Sequence, residues 1–286
     1  MKIIVKVFLV LAVFFVTGCG IVEKKNDWQQ LNLKGEVKSI QQQSFDYKIE
    51  YGLSVKNKTI SKTNYRFDMN GNMVEYSRID PSDNRFLEKQ TYEYDFRTHN
   101  NRGKVAGHDY GTDGKIVSNF EYKHDDKGFI TEYKSVFDSS GSLNNRSTYK
   151  YNSKKQLIQQ LDYNSGDRLV STHDLVYDKK GNLILKTRTN VDNVIVQENH
   201  YRYDKSGEIL EKEAEFGLNK RIRFMKEYQY DDKKNVIEYK YYDEYEVHKY
   251  THKIEYEYDD MFNWVKKIVK NGDEIVEHTE RVYEYY

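Results

Sequence analysis

The feature that most constrains this chain is a spacing. Aromatic pairs two residues apart recur along it, and their second members are Phe67, Tyr94, Tyr122, Tyr151, Tyr177, Tyr203, Tyr230, Tyr258 and Tyr285. The intervals are 27, 28, 29, 26, 26, 27, 28 and 27 residues. A period of this length marks a repeat architecture in which each unit buries its apolar face against its neighbours.

The unit itself reads as a β-hairpin. In Y-R-Y-D-K-S-G-E-I (Tyr201 to Ile209), two tyrosines two apart share one face of a strand, and Arg202 points away. Asp204 bonds its own backbone, Gly207 supplies the positive φ of a tight turn, and Ile209 and Leu210 restart the apolar pattern. Leu175 to Leu183 and Tyr228 to Val236 are close copies. A weaker turn falls midway through most units, at Asp113-Gly114, Ser140-Gly141, Ser165-Gly166, Asp192-Asn193 and Asn271-Gly272, so one unit is two strands and two turns.

The pairs Tyr94-Asp95, Tyr177-Asp178, Tyr203-Asp204, Tyr230-Asp231 and Tyr258-Asp259, with Phe67-Asp68 and Tyr151-Asn152 as near matches, resemble the YD repeat of RHS-type bacterial proteins. The resemblance covers roughly residues 35 to 286. It implies a structural unit of β-sheet, in a chain too short for the toxin-enclosing shell of the large members.

The N-terminus reads as an export signal. Residues 1–18 hold two early lysines and then an apolar run shorter than a transmembrane helix needs. Val16-Thr17-Gly18-Cys19 resembles the bacterial lipobox, which implies a signal peptide over 1–18 and an acylated Cys19 at the new N-terminus. Cys19 is the chain's one cysteine, so no intramolecular disulfide competes for it. Residues 19–30 then form a lipidated tether. Multiple acyl chains hold a membrane far more firmly than one, and Gly20 in place of Asp favours, by resemblance, the outer membrane of the cell envelope.

Residues 31–286 are expected to form one all-β domain of tandem antiparallel hairpin repeats, 26–29 residues each, in one curved or spiral extended sheet. Leu31 to Phe45 reads as a first strand pair capping the array, with Val37 and Ile40 apolar and Trp28, Leu31 and Leu33 covering that end. The only proline, Pro81, falls in a loop. Residues 96–108 read as an irregular connection, and Tyr241 to Tyr250 as a second place where the turn signature is lost.

Charged residues make up 32% of the chain and the hydrophobic set only 37%, which suits a thin sheet better than a thick core. Without the signal, 44 basic residues stand against 46 acidic ones, a net charge of −2 that gives no electrostatic case for nucleic acid.

No catalytic or cofactor motif is present: there is no G-x-S-x-G, no H-E-x-x-H and no phosphate loop. His248 and His252 have helical metal-pair spacing, but on a strand they stand about 13 Å apart. Asp68-x-Asn70-Gly71-Asn72 resembles part of a calcium loop, yet position 79 is Ile where such a loop needs Glu. Asp125-Asp126, Asp231-Asp232 and Asp259-Asp260 read as turn residues in preference to an acid pair. The expectation is therefore a non-enzymatic envelope lipoprotein without metal or cofactor. Its candidate binding face is Tyr149, Tyr151, Tyr177, Tyr201, Tyr203, Tyr228, Tyr230, Tyr256 and Tyr258, offered to a glycan, a peptide or an envelope protein. The same tyrosines also serve as structural filler, and a rigid spacer without ligand is the alternative. The last strand, R-V-Y-E-Y-Y, is a second candidate surface, because an end strand has free backbone groups, with Glu280, Arg281 and Glu284 as guards against pairing.

Overall fold

The computed structural model describes residues 26–51, 53–95 and 103–286. Cys19, the signal segment and most of the tether lie outside the described residues. After a short helix α1 (Asp27–Gln30) come β1 (Val37–Glu50), β2 (Leu53–Phe67), β3 (Met73–Ile79), β4 (Phe86–Asp95), β5 (Gly103–Tyr110) and β6 (Ile116–His124). They are followed by β7 (Ile130–Phe137), β8 (Leu143–Tyr151), β9 (Leu157–Tyr163), β10 (Leu169–Tyr177), β11 (Leu183–Asn190) and β12 (Ile195–Tyr203). The last six are β13 (Leu210–Phe216), β14 (Ile222–Tyr230), β15 (Val236–Tyr242), β16 (His248–Tyr258), β17 (Trp264–Asn271) and β18 (Glu274–Tyr285).

Every strand pairs antiparallel with its sequence neighbours, and β18 pairs with β1, from Val37 opposite Tyr285 to Phe45 opposite His278. The sheet is therefore a closed 18-stranded up-and-down barrel, not the open curved or spiral sheet expected from the repeat. Closure removes both edges. The last strand has no free edge, and its supposed guards bind across the seam: Glu284 to Lys38 (2.5 Å), Glu280 to Lys56 (2.6 Å) and Arg281 to Gln42 (2.9 Å). Nor does Leu31 to Phe45 form a strand pair; Val37 onward is one long strand that completes the ring. Within the stretch read as irregular, Gly103–Tyr110 is a regular strand. Tyr241 to Tyr250 also keeps its hairpin, with Asp243 Oδ1 accepting from the amides of Tyr245 and Val247 and Glu246 at φ 60°.

The turns explain the repeat. In Asp68-Met69-Asn70-Gly71-Asn72 the Asp68 carboxylate accepts from the amides of Asn70 and Asn72, and the fourth residue takes positive φ. The same frame recurs at Asp125, Asn152, Asp178, Asp231 and Asp259, with Lys155, Lys234 and Phe262 standing where other copies have glycine. At Ser165-Gly166 the positive φ falls one residue later, on Asp167. Most hairpins then carry a bulge just past the turn, such as Ile184 between Leu183 and Leu185, or Ile237 between Val236 and Glu238. At Leu157-Ile158, Leu183-Ile184 and Val236-Ile237 the bulge explains the apolar pair after the turn, its second member being the unpaired, exposed residue. At Ile209-Leu210 the bulge falls on Glu211 instead, and Leu210 is buried opposite Tyr203.

A strap over residues 26–36 crosses one end of the barrel. Trp28 N donates to Gly71 O, while Lys34 and Asn263 exchange two hydrogen bonds at 2.8 and 2.7 Å. The two turns it joins lie four strand steps apart around the ring, an arc of about 19 Å. The strap packs on the face that holds Val37, Ile40 and Phe67, the more buried face of the sheet and, in a closed ring, the concave one. Trp28 and Leu33 pack on the small core of Val37, Ile40 and Phe67, and Trp28 Nε1 donates to Val37 O, while Leu31, expected with them to cover the end of an open array, is exposed in a ring that has no such end.

Candidate functional site

The side the strap touches is the lumen, and it carries the tyrosines. Register places Tyr122, Tyr133, Ser147, Asp162 and Ser171 in one row across five strands, and Tyr228, Tyr239 and His252 in another. All nine tyrosines of the candidate binding face belong to this inner face, nearer the strapped end. Burial pushes the phenols of Tyr151, Tyr177, Tyr201 and Tyr258 up to about 12. Tyr149, Tyr203, Tyr230 and Tyr256 are also raised by burial. Tyr228 is raised furthest among the nine, by burial and by Glu213, to which its hydroxyl donates at 2.5 Å.

Toward the other end the inner wall turns polar. Asp162 accepts from Ser147 (2.7 Å), Gln160 (2.7 Å) and Ser171 (3.0 Å), and His173 Nε2 lies 2.9 Å away. These hydrogen bonds outweigh burial and hold its carboxyl well below the usual range. Lys226–Glu213 and Lys267–Glu277 form inner ion pairs, whereas Lys186, opposite Leu175, has its ammonium pKa lowered by burial.

The outward face is different in kind. It presents Lys123–Glu132, Lys266–Glu257 and Lys270–Glu255 at 2.6 to 2.7 Å, with Lys123 64% and Glu257 63% exposed. A ring of eighteen strands tilted by about 40° has a circumference of roughly 110 Å, wide enough for an aqueous interior. The wall thus keeps desolvated aromatics inside and solvated ion pairs outside, with single apolar side chains such as Val176, Ile184 and Val282 exposed among them.

A cavity of 650 Å³ opens at the strapped end between the strap, the turns before β15 and β17, and the inner wall. Trp264, Tyr258 and Arg281 line it together with Lys233 and Phe262. The guanidinium of Arg281 lies 3.7 Å over the Trp264 ring, and the Lys233 ammonium 4.1 Å over the Tyr258 ring. Of these residues only Tyr258 and Arg281 were singled out from sequence, and Arg281 in another role. A signal was available at Phe262, an aromatic in the slot that Gly71, Gly128 and Gly181 fill in sister turns.

The other sequence candidates are structural. His252 Nδ1 lies 2.5 Å from Tyr239 OH and His248 bonds Thr251, so the two histidines do not converge. Asp68, Asp125, Asp231 and Asp259 are engaged with turn amides.

No protein-family model matches the chain, and no curated protein matches it. Among solved structures it is similar to a porin-like protein from Bacteroides uniformis, at 11% identity and TM-score 0.46, over 88% of this chain and 99% of that one. A porin-like protein from Bacteroides vulgatus matches at 10% identity and TM-score 0.36, over 87% and 98%. The Tc holotoxin pore of Photorhabdus luminescens matches at 12% identity and TM-score 0.29, over 78% of this chain and 16% of that one.

Proposed function

We propose that the protein is a lipid-anchored binding protein of the bacterial envelope, non-catalytic, whose barrel stands in water beside the membrane and takes its ligand on the inner, tyrosine-lined wall. The observation that carries this reading is the polarity of the wall. A barrel embedded in lipid turns an apolar band outward, and each charge near the bilayer midplane costs about 2–4 kcal/mol. Here ion pairs of lysine and glutamate face out and aromatics face in. The membrane connection is assigned to Cys19 through its lipobox-like context, and that context supports an outer-membrane address. The inner face offers rigid, amphipathic rings suited to a glycan or an extended peptide.

A rigid spacer without ligand is the second reading. It is favoured by the hydroxyls of Tyr258 and Tyr285, which are spent on turns of the barrel itself. A thermal-shift screen over saccharides, peptides and envelope fractions separates the two. A binder gains stability with one compound class in proportion to occupancy, and a spacer gains none.

A further inference from the structure

We infer that the 650 Å³ cavity under the strap is a binding site for an anionic saccharide of one or two rings. The inference rests on the binding-protein reading and gives it a place and a ligand class.

Three observations converge there. First, the size falls within the range of small-ligand sites. Second, the cavity holds two cations fixed on aromatic faces, Arg281 on Trp264 and Lys233 on Tyr258. Among the described residues neither pairs with a carboxylate; Arg281 instead donates to Gln42 and Tyr283. A stacked cation of this sort has little freedom left to lose when an anion arrives. Third, Phe262 is 65% exposed at the rim with φ at 64°. A bulky residue in the left-handed region costs free energy that glycine, used in sister turns, avoids; such strain persists where the side chain has a task.

The chemistry selects the ligand. An exposed phenyl ring gives a flat apolar surface for the C–H face of a sugar, and Asn235 and Tyr283 add polar groups to the wall. Lys34, Lys233, Lys234 and Arg281 against the single carboxylate of Asp232 give the wall a positive balance that calls for a negative charge on the ligand. A fatty acyl chain would need an apolar tunnel, whereas Leu31, Leu33 and Met261 line only one side of this space.

The test uses the full-length protein in detergent, with tryptophan emission as readout. The chain has two tryptophans, and Trp264 lies in the site. A glucuronate-containing disaccharide is titrated against its neutral glucose counterpart. The expected result is a saturable change in emission with the acidic disaccharide, binding at least tenfold weaker for the neutral one, and loss of the signal in Trp264→Phe. Lys233→Gln, at the surface, should weaken binding about tenfold, and Arg281→Gln at least as much. Phe262→Gly should weaken binding severalfold while raising the melting temperature. Equal binding of the neutral disaccharide, or unchanged affinity in both Lys233→Gln and Phe262→Gly, overturns the inference. Saccharide binding that leaves Trp264 silent but is lost in Tyr201→Ser overturns this site and leaves the wider reading standing. No stabilising ligand of any class overturns both.

Discussion

The hydroxyl of Tyr285 donates to Asp259 at 2.5 Å, 26 residues earlier in the chain. Tyr258 makes the same bond to Asp231, 27 residues earlier, at 3.0 Å. In each case the turn asparagine four residues after the aspartate, Asn263 or Asn235, donates to the same hydroxyl. In these two repeats the second aromatic of one pair thus fastens the turn made by the aspartate of the pair before it, and the repeat length is the path from one turn to the next. Where the partner differs the direction is kept: Tyr177 donates to Leu157 O, and Tyr94 to Met73 O and Asp27.

This lock predicts an asymmetry between tyrosines two residues or one repeat apart. Tyr258→Phe removes a half-buried hydroxyl bonded to both Asp231 and Asn235 and should cost about 1 kcal/mol. Tyr230→Phe removes a hydroxyl that bonds no described group and should cost close to nothing. Urea unfolding of the two variants beside the parent measures the difference, and equal midpoints would mean that the lock contributes no stability.

Gly207→Val tests the turn frame. Gly207 has φ 81°, and a Cβ there would lie 2.7 Å from Asn182 Nδ2 and 2.8 Å from Lys180 Cδ in the neighbouring turn. A β-branched residue therefore meets both backbone strain and a contact with the preceding repeat, together about 2 kcal/mol or more. Circular dichroism melting should show a drop of several degrees. A melting curve that does not move would contradict the frame.

The local half of the fold was legible because it is local. A Tyr-x-Tyr-Asp run, a positive-φ slot and an apolar pair lie within nine residues, and each obeys strand and turn chemistry on its own. Closure was not legible. The β1–β18 seam joins residues about 240 apart through backbone pairing, and nothing in Val37–Glu50 or Glu274–Tyr285 marks them as partners, because they carry the same alternation as every other strand. Glu280, Arg281 and Glu284 read as edge guards for the same reason: a charge that blocks a stray strand and a charge that pairs across a seam look identical in sequence. The tyrosines of the candidate face were placed on one surface by their period of two, but whether that surface is concave depends on the seam. The cavity depends on it as well: Arg281 and Trp264 meet within the β17–β18 hairpin, but Leu31, Leu33 and Lys34 are brought to that hairpin by the pairing of β1 with β18.

The buried phenols give the barrel an alkaline limit. In the unfolded chain tyrosine releases its proton near pH 10, while Tyr151, Tyr177 and Tyr201 in the fold hold theirs to about 12. Between these values the unfolded state binds fewer protons, so stability is intact below pH 10 and falls as pH rises toward 12. Tyrosinate absorbance should therefore rise in two stages, exposed phenols first, with the later stage coinciding with loss of the β-sheet spectrum. A single transition near pH 10 with the sheet intact would show that these rings are solvated.

Cys19→Ala separates the anchor from the barrel. Ion pairs such as Lys123–Glu132, Lys266–Glu257 and Lys270–Glu255 on the outer wall are costly in lipid, and the whole membrane attachment is therefore assigned, as proposed above, to Cys19. If the acylated cysteine is the whole attachment, the variant should leave the membrane fraction on cell fractionation while its folded domain keeps the parent's resistance to protease. Retention of Cys19→Ala in carbonate-washed membranes would mean that the wall itself engages lipid, and it would contradict the reading of the barrel as standing in water. Protease added to intact cells then assigns the side: cleavage before lysis places the strapped cavity outside the cell, and cleavage only after lysis places it in the periplasm, where the anionic saccharides within reach are those of the envelope itself.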